Sequence, residues 1–164
     1  MEPLFIVLLA STFLNTLMAG IVLTFAIIVM PGIKRLSDQD YLETFKSIDR
    51  IIQNGHPIFM TIWLGSSITL VLALAMGWGH LSDLNLSLLG MAALFHLGGV
   101  QLPTIVINVP ANNHLQATDL VRLNTLQISK LRRDFEPVWV RWNRIRTVAA
   151  MLTGSLLLVL LVEL

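Results

Sequence analysis

Four apolar stretches, each long enough to cross a lipid bilayer as a helix, take up most of this chain. They run from about Leu4 to Met30, Pro57 to Trp78, Leu86 to Val109 and Arg146 to Val162. A spanning helix needs roughly 20 residues at about 1.5 Å each, and hydrocarbon offers no water to satisfy an open backbone. The stretches are therefore expected to be helices. With 55% hydrophobic and 13% charged residues over 164 positions, the chain reads as one integral membrane domain, residues 1–164, with no room for a separate soluble domain. The fold class that follows is all-α, a four-transmembrane-helix bundle.

Charge orients the bundle. All eleven Lys and Arg fall in two connections: Lys34, Arg35, Lys46 and Arg50 after the first span, then Arg122, Lys130, Arg132, Arg133, Arg141, Arg144 and Arg146 before or at the start of the fourth. With four spans these connections share a side, so the positive-inside rule puts them in the cytoplasm, both termini outside, and the protein in the plasma (inner) membrane. A cleaved signal peptide is a poor reading of the first span, because Glu2 precedes it and its apolar run far exceeds a signal core of roughly 7–15 residues. The over-long first span is expected to tilt or protrude. Having no Cys, the chain has no disulfide, thiolate-ligated haem or cysteine nucleophile.

The cytoplasmic connections carry interfacial helices of their own. From an N-cap at Ser37 or Asp38, residues Tyr41, Leu42, Phe45, Ile48, Ile51 and Ile52 recur at helical spacing, with Glu43, Lys46, Asp49 and Arg50 assigned to the polar side. This amphipathic helix is expected to cap the bundle and to end near Gly55 and the His56-Pro57 pair. In the second connection a helix is expected over about Leu115 to Arg133, and Pro137 suits the first turn of another that runs into span four.

Polar side chains at the ends of two spans are the candidates for chemistry. On span three, Gln101, Thr104, Asn108 and Asn112 share a face, and Pro103 and Pro110 kink the helix or free its carbonyls. On span four, Trp139, Trp142, Asn143 and Arg146 follow i, i+3, i+4, i+7 and form one stripe. Interhelical glue and an aromatic belt with snorkelling arginines are the structural alternatives. Asn15, Gly65, Thr69, Gly98 and Gly99 read as packing positions. His96 lies within span three, where an ionisable group is a candidate proton acceptor or axial ligand, while His56 and His114 sit at the cytoplasmic ends of spans two and three. No His pair has metal-ligand spacing, so no metal site is assigned, with His56 and His96 the candidates for a metal or haem.

The run Ala19-Gly20 through Phe25 to Val29-Met30-Pro31-Gly32, Leu36, the Pro57-Ile58-Phe59-Met60 opening of span two, Asn108-Val109-Pro110-Ala111-Asn112, and Trp142-Asn143 with Arg146 resemble the anthrone oxygenase-like family of integral membrane proteins. The resemblance covers nearly the whole chain. It implies oxidation of an anthrone, a fused-ring phenol tautomer, to a quinone with molecular oxygen. Under it, His96 or His114 removes the acidic C–H proton and Asn108, Asn112 or Arg146 stabilises the oxyanion. Gln101, Trp139, Trp142 and Asn143 bind the flat substrate. Cofactor-free oxygen chemistry and haem through a histidine both remain open, as do two other readings: a haem-, metal- or quinone-binding membrane protein and a non-enzymatic membrane subunit. The expected partners are the lipid bilayer and a small hydrophobic aromatic molecule, with a homo-oligomer possible and no nucleic acid.

Overall fold

The computed structural model describes residues 2–164, and among them there is no strand. Five helices carry the fold: α1 (Pro3–Ile33), α2 (Asp38–Gln53), α3 (Pro57–Gly77), α4 (Asp83–Ala117) and α5 (Thr125–Val162). All but α2 are long and apolar enough to cross a membrane, which makes this a multi-pass membrane protein with an all-α bundle. Pro3 and Pro57 begin their helices at positions whose N–H has no partner to lose. Ser37, Ser82 and Asn124 cap α2, α4 and α5 by accepting from Asp40 N, Asn85 N and Gln127 N. Gly55, at φ 74°, makes the turn from α2 into α3 that a side chain would resist.

α1 packs along both α3 and α5, α5 packs along α4, and α3 meets α4 beside their short connection. Gly99 sets the α4–α5 approach, since a Cβ there would lie 2.5 Å from that of Ala149. Asn15 Nδ2 donates to Ser66 O across α1 and α3 at 3.2 Å, the interhelical role expected of it. At the basic end, Tyr41, Leu42 and Phe45 of α2 are buried against Met30, Leu115, Ile128, Phe135 and Trp139. The amphipathic helix thus closes the bundle with its apolar face.

The second connection departs from the expected Leu115–Arg133 helix. α4 continues only to Ala117, Thr118 turns extended, a short 3₁₀ turn spans Leu120–Arg122, and α5 starts at Thr125. The reason is local: Asn124 and Gln127 cap each other reciprocally, which fixes a helix start in the middle of the expected element. Pro137 lies inside α5, not in a first turn. Both Pro137 and Arg133, whose carbonyl loses its N–H partner, sit on the exposed face.

Three stretches of α1 and α4 widen into π-helix: Phe25–Val29, Phe95–Gln101 and Thr104–Asn108. Each ends two residues before a proline, Pro31, Pro103 or Pro110. A proline removes an i→i−4 bond and crowds the carbonyl beneath it, and a shift to i→i+5 bonding absorbs that mismatch without breaking the helix. Two of the three wide turns border the site.

Candidate functional site

The polar stripes of α4 and α5 face each other and join in three rungs. Arg146 Nη1 donates to Thr104 Oγ1 at 3.0 Å, Asn108 Nδ2 to the carbonyl of Trp139 at 3.4 Å, and Trp139 Nε1 to Asn112 Oδ1 at 2.8 Å. Asn143 binds Arg146 Nη2 through Oδ1 at 2.9 Å and donates through Nδ2 to Val22 O on α1 at 3.1 Å. Thr147 Oγ1 donates to the same carbonyl at 3.2 Å, just before the first π turn.

Between these stripes, α1, α2 and α3 lies a cavity of about 280 Å³. Phe25, Phe45, Phe59, Trp63 and Trp139 supply aromatic walls, with Met18, Ile21, Val22 and Met60 filling between them. Phe45 meets Trp139 edge-on at 5.1 Å, and Phe25 is tilted against it at 5.6 Å. Chain order gives the cavity two ends. Thr104, Arg146 and Trp63 lie deepest along their helices, whereas Asp49, Gln53, Asn112 and Asn113 lie at the basic end of the bundle.

The inner end is polar and unsatisfied. Five buried side-chain polar atoms among the described residues have no partner, and three of them belong to residues of this cavity: Asn108 Oδ1, Arg146 Nε and Trp63 Nε1. Leaving such an atom unpaired costs about 1–3 kcal/mol. Arg146 is also 7% exposed and forms no ion pair with any described carboxylate; its only charge-related neighbour is the Trp139 ring, 5.6 Å from Cζ. Placing an Arg in a membrane helix costs about 2.5–3.5 kcal/mol even on the insertion scale. A ligand oxygen carrying negative charge would offset that cost.

Several sequence-derived candidates lie elsewhere. His96 is buried outside the cavity lining, its Nε2 3.0 Å from Ser67 Oγ and 3.1 Å from Gln101 Nε2. Gln101 is turned to the same cluster, donating to Ser67 Oγ at 2.7 Å, because its face of α4 meets α3 above the cavity. The Nε2 that would ligate haem is therefore already engaged. His56 and His114 are exposed at helix ends and are absent from the cavity lining. Trp142, one position off the centre of the α5 stripe, is half-buried beside the cavity and not in its wall. No group of three or more His, Asp or Glu gathers to hold a metal among the described residues.

Asp49 is a further member of the site, not among the sequence candidates for chemistry. Expected on the polar side of α2, it is 3% exposed and lines the cavity. The spacing held the signal: Asp49 follows Tyr41 and Phe45 at i+8 and i+4, on the buried stripe. Asn112 Nδ2 donates to its Oδ1 at 2.7 Å, and Gln53 and Gln116 donate to its Oδ2 at 2.8 and 3.0 Å. Burial pushes its carboxyl above the usual aspartate range, the three amide donors acting in the opposite direction.

The site is thus a small aromatic cavity within a multi-span bundle, with a buried cation at one end and a buried carboxylate at the other. The profile of the anthrone oxygenase family matches residues 49–156, about two-thirds of the chain, and the protein belongs to that family. Among curated proteins and among solved structures, none matches this chain.

Proposed function

We propose that the protein oxidises a fused-ring phenolic ketone of the anthrone type to a quinone with molecular oxygen, in the cavity at the basic end of the bundle. The observation that carries this reading is the coincidence of three unpartnered polar atoms and an uncompensated Arg146 with aromatic walls. A ketone oxygen fits Arg146 Nε and Trp63 Nε1 as acceptor, and a neighbouring hydroxyl fits Asn108 Oδ1 as donor. The volume, just under the roughly 300–1,000 Å³ of drug-sized sites, suits one small ring system.

The reaction balances with oxygen alone. The substrate loses the two hydrogens of its acidic methylene and gains a carbonyl oxygen; the second oxygen atom leaves as water. Loss of the first proton places charge on the ring oxygen, where Arg146, held by Thr104 and Asn143, stabilises it. Trp139, Phe25 and Phe45 hold the ring system flat. The whole chain acts as one membrane domain, with its basic end and the cavity on the cytoplasmic side of the plasma membrane.

Oxygen uptake by the purified protein with anthrone-type phenols tests the proposal. Arg146→Met is expected to lower turnover about 10²–10³-fold, the usual effect of removing an oxyanion donor. The variant also orphans the buried Asn143 Oδ1, at about 1–3 kcal/mol, so thermal unfolding of Arg146→Met is measured beside its turnover. Equal rates for wild type, Arg146→Met and Asn108→Ala would sink the site assignment.

A further inference from the structure

We infer that Asp49 is the catalytic base of this cavity, its carboxylate removing the acidic methylene proton of a fused-ring ketone whose oxygen faces Arg146. The inference rests on the oxidation proposed above and supplies the proton acceptor that reading leaves unassigned.

The hydrogen-bond network fixes the state of Asp49. Trp139 Nε1 is a donor only, so Asn112 must turn Oδ1 to the indole and present its NH2 group to Asp49 Oδ1. Gln116 Nε2 also donates to the carbonyl of Lys46 at 2.8 Å, an acceptor only, so the same NH2 group faces Asp49 Oδ2. Both carboxylate oxygens are thus met by groups that can only donate. A proton on Asp49 finds no acceptor among Asn112 and Gln116, which leaves the cavity and the exposed Gln53 amide as the sides for proton exchange. A carboxylate has about four acceptor directions, of which Asn112, Gln53 and Gln116 take three.

No described Lys, Arg or His pairs with Asp49, so nothing neutralises its charge in place. Its carboxyl stands above the usual range because it is buried, which brings its basicity closer to that of a working general base. Asp49 and Arg146 are opposite unpaired charges at opposite ends of one cavity. A ketone that gives up a proton at one edge and gathers charge on oxygen at the other matches both.

The steps balance. The C–H bond breaks, its electron pair passes into the ring to make the enolate oxygen, and the proton goes to Asp49. The enolate carbon gives its electrons to dioxygen and forms a C–O bond, and Asp49 returns its proton to the resulting peroxide. Asp49 then takes the second methylene proton as the O–O bond breaks and the C=O bond forms. The departing hydroxide receives that proton and leaves as water.

The test is deuterium exchange into the methylene of anthrone, without oxygen, by the full-length protein in lipid nanodiscs in D2O. Wild type is expected to accelerate exchange over the spontaneous rate. Asp49→Asn is expected to slow the enzymic part about 10²–10⁴-fold, the usual worth of a positioned acid or base. Binding of anthraquinone, read by quenching of Trp63 and Trp139 fluorescence, should be kept. Exchange by Asp49→Asn at the wild-type rate would overturn the assignment while leaving the oxidation standing. A wild-type protein that neither exchanges nor oxidises any anthrone-type compound would remove the proposed function itself. Treating wild type with a hydrophobic carbodiimide gives a check independent of any variant's folding: modification of Asp49, blocked by anthraquinone, should abolish exchange. Modified Asp49 with unchanged exchange, or an Asp49 that never reacts, contradicts a carboxyl open to the cavity.

Discussion

Trp139 ties the site together at the level of single residues. Its ring forms a wall beside Phe25 and Phe45, its N–H orients Asn112, and its carbonyl accepts from Asn108. Trp139→Phe keeps an aromatic ring in the wall but removes the N–H together with the five-membered part of the indole. It should cost about 1–3 kcal/mol in thermal unfolding by orphaning Asn112 Oδ1, and it frees that amide to flip against Asp49. The stripe Trp139, Asn143, Arg146 was legible from helical spacing because each long side chain points along one face. Asp49 was legible only by its spacing from Tyr41 and Phe45, because an acidic residue beside Lys46 and Arg50 looks solvated until Asn112, Gln53 and Gln116 are seen to enclose it. His96 stands apart for another reason: a histidine inside a span draws attention, and the structure sets it against Ser67 and Gln101, outside the cavity lining.

The elements owe their shape to prolines and close approaches. Gly99 and Gly98 read alike in the sequence, as small residues in α4, but only Gly99 meets Ala149; Gly98 has open space around it. Gly99→Ala should destabilise by about 1–3 kcal/mol through overpacking, whereas Gly98→Ala should be tolerated in the same melting experiment. The junction of α1 and α2 depends on Arg132 of α5, which donates to the carbonyls of Lys34 and Leu36, to Asp38 at 3.1 Å and to Glu136 at 2.8 Å. Asp38 is held below the usual aspartate range, first by the Ser129 hydroxyl and then by Arg132, against a smaller desolvation effect between them. Its contribution therefore persists above the ordinary value of 3.8 and disappears as pH falls through the lowered one. Hydrogen exchange should show the α1–α2 junction opening in that acid window in the wild type and already open at neutral pH in Asp38→Ala. Helix existence was legible from apolar length. The boundaries of α4 and α5 were not, because the Asn124–Gln127 cap competes with an unbroken helical pattern on either side of it.

For the whole molecule, parity and charge give a topology that the absence of Cys makes simple to test. A single Cys introduced at Ser82, in the short connection, and one at Arg122, in the long basic connection, should react with a membrane-impermeant maleimide from opposite sides. In intact cells only the Ser82→Cys protein should label. Labelling of Arg122→Cys alone would invert the orientation. The bundle buries two opposite charges without pairing them, and three residues that line one cavity each carry a buried polar atom with no partner. That arrangement is costly for a structural subunit and fitting for a ligand site. The most direct measurement is a structure of the protein in lipid with an anthraquinone-type product at saturation. The ring system should lie between Trp63 and Trp139, with a quinone oxygen about 3 Å from the Arg146 guanidinium and its edge toward Asp49. An empty cavity, or a product bound beside His96 or on the outer surface, would contradict the account.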